Sequence, residues 1–444
     1  MPSLITVDEV KADPVAPGRI FEFAAAREVR LSRMLMAYIV AGLVFMLLPG
    51  TFLGVWNLIT ISSQRAAGTA SAAWIQAHGH AQIFGWVGTF ILGIGYYSIP
   101  KLRRSKPFAL WAPWTSWTMW TLGVTSRWVA GVYEWHWRVL LPTSAALEIA
   151  AFLIFFISVA GHRPENKQTS KLDAWILVVI AGCVGWMAAL AINLLAAVFL
   201  SIRAAGPVLP HGFDQRFLVL QTWGFLVPFV WGFSAKWLPI FLGLRNTRSS
   251  LLLWAVALNS AGVLAALFDW MRASTLLLGC GMIVAIVALR VLEPSERPPK
   301  TTGVHKTFPL FVRISYVWAV IASLLGIWAS MTTIAPGIWG ASRHALTVGF
   351  FAVMVFCIGQ RVLPAFSGMK LLFSNRLMFW GLALLTTGCA LRVAAQVLAY
   401  QNMSARAWVW LPASAVTEFT AVTLFAVNLI GTFARSVPRR AANS

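Results

Sequence analysis

Charge is what this sequence has least of. Only 11% of its 444 residues are Asp, Glu, Lys or Arg, whereas soluble domains carry about one quarter. That scarcity excludes a body solvated mainly by water. Cysteine is equally thin: Cys183, Cys280, Cys357 and Cys389 each stand alone inside an apolar run. Neither a disulfide framework nor a CxxC metal site is compatible with that spacing, so all four read as small buried hydrophobes. Acidic residues number 14 against 35 basic ones, a formal charge of +21. On a soluble body such an excess would suggest a nucleic-acid partner. Here no nucleic acid is expected, because basic residues in short loops of a membrane protein report orientation.

What is present in quantity is hydrophobic: 59% of the residues, with a mean hydropathy of +0.75. A spanning helix needs roughly 20 mostly apolar residues. Reading apolar runs between charged or proline-rich breaks predicts twelve spans, at 36–60, 78–99, 111–132, 141–160, 173–199, 217–241, 251–268, 275–292, 311–330, 343–364, 378–398 and 410–433. The chain is therefore expected to be an all-α integral membrane protein in contact with the lipid bilayer. It divides into an N-terminal arm, 1–32, and a single membrane domain, 33–444. The arm mixes Asp8, Glu9, Asp13, Glu22 and Glu28 with Lys11, Arg19, Arg27 and Arg30, and nothing in it resembles a cleavable signal, so the first span is expected to act as its own. With the N-terminus inside, 26 of the 35 basic residues fall on the inner side and nine on the outer. The inner loops hold Lys101, Arg103, Arg104 and Lys106; Arg163, Lys167 and Lys171; Arg245 and Arg248; Arg297, Lys300 and Lys306; Lys370 and Arg376; and the tail adds Arg435, Arg439 and Arg440. Both termini are expected in the cytoplasm of a bacterial inner membrane.

The spans repeat. Gly85–Pro100 reads GWVGTFILGIGYYSIP, Gly224–Pro239 reads GFLVPFVWGFSAKWLP and Gly349–Pro364 reads GFFAVMVFCIGQRVLP, each with glycine fifteen residues before proline. Gly123 and Arg127 match Gly388 and Arg392, each arginine one helical turn beyond its glycine. Leu141-Pro142-Thr143-Ser144-Ala145 with Glu148 matches Leu411-Pro412-Ala413-Ser414-Ala415 with Glu418. Three pseudo-repeats of four spans follow, about 36–160, 173–292 and 311–433. This plan suggests a ring of three arcs with the second helix of each toward the inside, unlike two-by-six transporters.

Ionisable groups in spans are functional candidates by default. His80 and His344 each lie twenty residues before the repeat proline and so occupy equivalent sites, with Val219 at that place in the middle arc and Gln221 matching Gln82. Neutral imidazole is the commonest metal ligand. His78 and His80, two apart and hence about 200° around a regular helix, cannot hold one metal together. On the His78 side lies a small, polar stripe, Gln82, Gly85, Thr89, Gly93 and Tyr96, suited to a hydrated path. On the His80 side lie Phe84, Val87 and Ile91, suited to an apolar plane such as haem. Either histidine is a partner for His344. Metal or haem ligation by His78, His80 and His344 is the reading adopted, with copper admissible at one site. Arg127, Arg343 and Arg392, in the outer half, suit haem propionates. Glu148 and Glu418 pair with those arginines or pass protons, completing a polar path with Gln82, Thr89, Tyr96 and Gln221. His136 and His211 fall in outer loops, His162 and His305 in inner ones. The 23 Trp are assigned to interfacial belts and helix packing.

His78-x-His80 followed by FGWVGTFILGIGYYSIP, and Arg343-His344-Ala345-Leu346-Thr347-Val348-Gly349 with Arg361 closing the tenth span, resembles NnrS, a family of twelve-span haem- and copper-associated proteins of bacterial nitric-oxide metabolism. The similarity covers roughly 36–433. That family shows HxHE in the second span and an LHxLTVG-like stretch in the tenth. Here Ala81 stands where that pattern has its acidic residue, with Gln82 next to it, and Arg343 precedes the histidine, so a metal site that needs the glutamate is not implied. A more distant likeness is to the catalytic subunit of haem-copper oxidases and nitric-oxide reductases, twelve helices in three arcs with histidines on the second and tenth spans. Those enzymes need further histidines on spans six and seven. Here 217–241 and 251–268 have none, and an oxygen- or NO-reducing binuclear centre is not expected.

The resemblance implies a protein holding haem, of b type, that serves nitric-oxide response or denitrification. NO or another small diatomic is its ligand, an electron-donor protein its partner, and any turnover would be an oxidoreductase's. The alternatives are a cofactor-free twelve-span transporter or permease, and a haem subunit of a respiratory complex.

Overall fold

Long apolar runs with few breakers satisfy their backbone polar groups internally, and in a bilayer that leaves helices as the economical solution. A computed structural model of the protein describes residues 17–103, 108–161, 173–332, 336–366 and 371–436, and among these no strand occurs. Among the described residues twelve long helices follow one another: α1 Ala26–Gln64, α2 Ala72–Leu102, α3 Trp111–Val132, α4 Trp137–Val159, α5 Ala174–Arg203, α6 His211–Phe241, α7 Ser249–Leu267, α8 Met271–Leu289, α9 Phe308–Met331, α10 Gly337–Phe366, α11 Asn375–Tyr400 and α12 Ala407–Arg435. Eleven of them are long and apolar enough to cross a membrane. The exception is α3, whose Trp111, Trp114, Trp117, Trp120 and Trp128 alternate with threonines and serines, lowering its hydropathy without shortening it. Helix already begins at Pro17, so the second half of the N-terminal arm continues the first span. Asp8, Glu9, Lys11, Asp13, Arg104, Lys106, His162, Arg163, Lys167, Lys171, Lys370, Arg439 and Arg440 lie outside the described residues.

Packing follows chain order. The tightest pairings are the hairpins α3–α4, α7–α8 and α11–α12, while α1 packs on α2, α5 on α6 and α9 on α10. Further contacts join α4 to α5, α8 to α9 and α12 back to α1. In α2, α6 and α10 the most apolar stretch is 78, 72 and 72% buried, against 39–56% in the other eight apolar helices. Second helices therefore sit inside, as their glycine-rich sequences require, because only a small residue lets a neighbouring backbone approach closely. Gly185 of α5 is the extreme case: a Cβ there would fall 1.9 Å from the carbonyl oxygen of Gly224 on α6.

Each inner helix widens into π-helix at one register: Ala81–Gly88 in α2, Leu220–Leu226 in α6 and Ala345–Ala352 in α10. A fourth π segment, Met46–Phe52, lies in α1 and contains Pro49. Such segments re-aim the side chains that follow them. The interior between the inner helices is filled with aromatic rings. Trp186 stacks on Phe225 at 4.3 Å, Phe84 stacks on Phe225 at 6.2 Å, and Phe356 stacks on Phe425 at 3.9 Å. Cys357 and Cys389 are buried as expected, Cys183 is half-buried, but Cys280 is exposed, since α8 turns that face outward.

Candidate functional site

Two histidine–glutamate pairs lie inside the bundle at matching sequence positions. Nε2 of His80 donates to Oε1 of Glu148 at 2.8 Å, with the Ser144 hydroxyl donating to the same oxygen at 3.3 Å. Nε2 of His344 donates to Oε1 of Glu418, also at 2.8 Å. In each case the histidine is the last α-helical residue before a π segment. A hydrogen bond to a charged acceptor contributes roughly 1.5–3 kcal/mol, and a buried acceptor deprived of its donor costs as much again. Pairing with histidine, not with arginine, was invisible in the sequence because 68 and 74 residues separate the partners.

Glycine makes the pairing possible. A Cβ on Gly123 would stand 2.9 Å from Cγ of Glu148, and one on Gly388 2.7 Å from Cγ of Glu418. Each carboxylate stem lies flat across the neighbouring helix and reaches the inner helix only through that notch. The middle group keeps the notch and loses the chemistry. Gly262 faces Leu278 at 2.8 Å, Ser274 stands where Ser144 and Ser414 do, and Val219 stands where the histidines do.

His78 points elsewhere, as its offset from His80 demands. Its Nδ1 donates to the Gly50 carbonyl of α1 at 2.8 Å, and its ring packs flush on Gly54, where a Cβ would be 2.7 Å from Cε1. His344, Arg392 and Glu418 all lie near enough to act on His78 electrostatically. His78 and His344 are partly accessible, whereas His80 is buried under Phe84, 4.8 Å between ring centroids. Each of the three histidines thus has one ring nitrogen anchored on an acceptor and the other without a hydrogen bond among the described residues. That is the disposition by which an outer-shell group fixes a metal-binding imidazole.

Around these groups arginines gather. Arg127 is buried and acts on Glu148 and on Asp214, and Asp214 acts in turn on Arg343. Arg392 lies near Glu418 and Tyr400, with its Nε and Nη1 buried and unpartnered. Asp214 escaped the sequence reading because it falls in the first turn of α6, before the apolar run begins.

The proposed polar path is not one string. Nε2 of Gln82 donates to Thr51 at 3.0 Å; Thr89 donates to the Gly85 carbonyl and accepts from Nε1 of Trp120 at 3.0 Å. Tyr96 sits against Tyr38, Phe108 and Phe155, and Gln221 is buried on α6. The small stripe below His78, expected to border a hydrated path, instead seats α1. A Cβ on Gly85 would be 3.0 Å from Phe45, and one on Gly93 2.5 Å from Tyr38. His136 is exposed in the α3–α4 turn, His211 is the exposed first residue of α6, and His305 bonds Thr307 at 2.7 Å in the loop before α9. Among the described residues no three His, Cys, Asp or Glu side chains converge as a metal-ion cluster.

A family model described as "Domain of unknown function (DUF8744)" matches residues 187–432, more than half of the sequence. The chain belongs to that family. The DUF8744 match runs from within α5 to α12, so it contains His344 and Glu418 and leaves out His78, His80 and Glu148. Among solved structures, the chain is similar to a heme-copper terminal oxidase determined as a dimer by cryo-EM. The TM-score is 0.72 at 13% identity, covering 91% of this chain and 84% of that one. At that identity the likeness establishes a heme-copper-oxidase-like fold. No curated protein matches.

Proposed function

We propose that the chain is a haem-holding protein of the bacterial inner membrane, of the NnrS type, with twelve spans in a ring of three arcs, in which His78 and His344 would hold the haem. The observation that carries this reading is that two partly accessible imidazoles on the inner helices α2 and α10, near enough to influence each other electrostatically, are each oriented by an acceptor on one ring nitrogen. The oxidase-like fold, the common register of the π segments and the return of α12 to α1 support the ring.

The residues fit a haem better than an isolated copper. A haem could be held by His78 and His344, whereas a copper site built from three protein ligands finds no cluster among the described residues. Arg127, Arg343 and Arg392 would take the propionates, and the unpartnered nitrogens of Arg392 are the donors most in need of such acceptors. Haem, when bound, supplies a one-electron couple. The chain's own part is to hold the His78 ring on Gly50 and Gly54, to fix His344 through Glu418, and to exclude water with the Phe84, Phe225 and Trp186 stack. Diatomic NO and an electron-donor protein are the partners this reading takes from the NnrS likeness.

A reduced-minus-oxidised absorption spectrum with metal analysis tests it. A Soret band and iron are expected in the purified protein, lost in His344→Ala and His78→Ala and retained in His136→Ala. A colourless, iron-free and folded wild type would overturn the proposal. A second reading, a permease without cofactor, draws on the buried and unpartnered Oε1 of Gln82 and Oε2 of Glu148, and that colourless preparation is what it requires.

A further inference from the structure

Two neighbouring helices leave an open seam on the surface of the bundle. Between α8 and α9 runs a groove of about 350 Å³, walled by Leu276, Gly279, Cys280, Ile283, Leu324 and Ile327. Its cause is local: Gly279 contributes no side chain where α8 meets α9, and a Cβ there would meet Ile327 at 3.2 Å and Ser323 at 3.7 Å. Leu276, Cys280, Ile283 and Leu324 are exposed along it. Both helices are long and apolar enough to cross a membrane, so the seam faces hydrocarbon.

The groove has the reach of one leaflet. It follows α8 from Leu276 to Val284, about 12 Å at the helical rise, against roughly 15 Å for half of a hydrocarbon core. The end nearest the start of α8 carries a cation. Arg272 stands one turn before Leu276 on the same face of α8. Its Nε donates to the Ser330 carbonyl of α9 at 3.3 Å, so the side chain bridges the two helices that wall the groove. Arg272 is exposed, and among the described residues no carboxylate pairs with it, that of Asp269 in the preceding turn included.

Aromatic side chains mark the level of Arg272. Phe268 and Trp270 precede it in the α7–α8 turn, 70 and 67% exposed, and Trp328 is exposed at the same end of α9. Tryptophan gathers where hydrocarbon gives way to headgroups, which puts the guanidinium at headgroup depth and the groove beneath it in the acyl layer. A planar guanidinium with spare N–H groups recognises phosphate oxygens. A protein helix laid in the groove would cover its apolar walls and leave that cation unanswered, and a zwitterionic lipid would bring a second cation to it. An anionic lipid answers both the charge and the groove.

We propose that Arg272 and the α8–α9 groove form a binding site for one anionic diacyl phospholipid, with its phosphate on the guanidinium and one acyl chain along Gly279 and Cys280. The site uses no residue of the histidine–glutamate pairs and does not depend on haem being bound.

Native mass spectrometry of the full chain released from mild detergent tests this, with phosphatidylglycerol and phosphatidylethanolamine as the probes. The wild type should retain one phosphatidylglycerol in preference to phosphatidylethanolamine. Arg272→Gln should weaken that retention roughly fivefold, the factor carried by one basic residue at an anionic lipid surface. Cys280→Trp, which fills the groove from an exposed position, should abolish it. Arg203→Gln removes an exposed charge at the end of α5 and should retain the lipid as the wild type does. All three positions are exposed, so the variants should fold, and a thermal unfolding scan checks that they do. Equal retention of the two lipids, or equal loss in Arg203→Gln and Arg272→Gln, would overturn the proposal. So would a dimer that Cys280→Trp dissociates and lipid leaves unchanged, since a second copy would then own the groove. A colourless, iron-free protein that still selects phosphatidylglycerol would end the haem reading alone.

Discussion

Gly123 and Gly388 show how a residue without a side chain can decide the chemistry of two others. Each is a notch that lets a glutamate lie across a helix and reach a histidine on the inner helix. Adding one methyl forces Cγ of Glu148 or Glu418 outward, because 2.9 and 2.7 Å are inside contact distance. The strain of overpacking is about 1–3 kcal/mol, and the displaced carboxylate loses its bond to imidazole. Gly123→Ala and Gly388→Ala are therefore each expected to lower stability by about 2–4 kcal/mol, summing that strain with about 1 kcal/mol for a weakened hydrogen bond. Gly359→Ala is the control. Its nearest neighbours stand 3.8 Å from the added Cβ, and alanine is favoured over glycine within a helix by about 0.5–1 kcal/mol. Equal effects at all three positions in a detergent unfolding titration would dismiss the notch.

At the scale of elements, part of the architecture was written in the sequence and part was not. Apolar runs located the helices, and the glycine-to-proline frame picked out α2, α6 and α10 as the inner ones, because close approach and burial leave a compositional mark. The π segments left none. They begin after His80, Val219 and His344, through residues that an ordinary helix would accept equally, so only the packed neighbours reveal them. Ring direction was likewise illegible: His78 turns to α1 and His80 to α4, and no local rule says which neighbour each will find. The middle group's notch at Gly262 was missed because leucine and valine there resemble any other core residues. The closest interhelix approach supplies a test of element packing. Gly185→Ala would place a carbon 1.9 Å from the Gly224 carbonyl, which no rotamer change relieves. Separation of α5 from α6 is expected, with a loss of about 3 kcal/mol or more. Wild-type stability in that variant would mean that the two backbones do not meet at these glycines.

For the whole molecule, the distribution of positive charge predicts the direction in which the bundle is threaded. By the expected topology 26 of the 35 basic residues fall on one side, and of the nine on the other, Arg127, Arg343 and Arg392 lie within helices. The other six, Arg65, Arg138, Arg203, Arg216, Arg272 and Arg406, are spread over several turns and helix ends, and translocating a loop is easiest when it carries few Lys and Arg. The loop between α8 and α9, with Arg297, Lys300 and Lys306, is expected in the cytoplasm, and the turn between α11 and α12 outside. Two exposed positions report on this: Thr302 in the first and Met403 in the second. In a chain whose Cys183, Cys280, Cys357 and Cys389 are replaced by alanine, a membrane-impermeant maleimide should label Met403→Cys on the outer face of the inner membrane in spheroplasts, and Thr302→Cys only after permeabilisation. Removing the inner charges as Arg297→Gln, Lys300→Gln and Lys306→Gln should weaken that preference, since it is the asymmetry that orients the chain. Labelling of Thr302→Cys in intact spheroplasts would reverse the topology, and with it the assignment of the arginine-rich half of the histidine site to the outer leaflet.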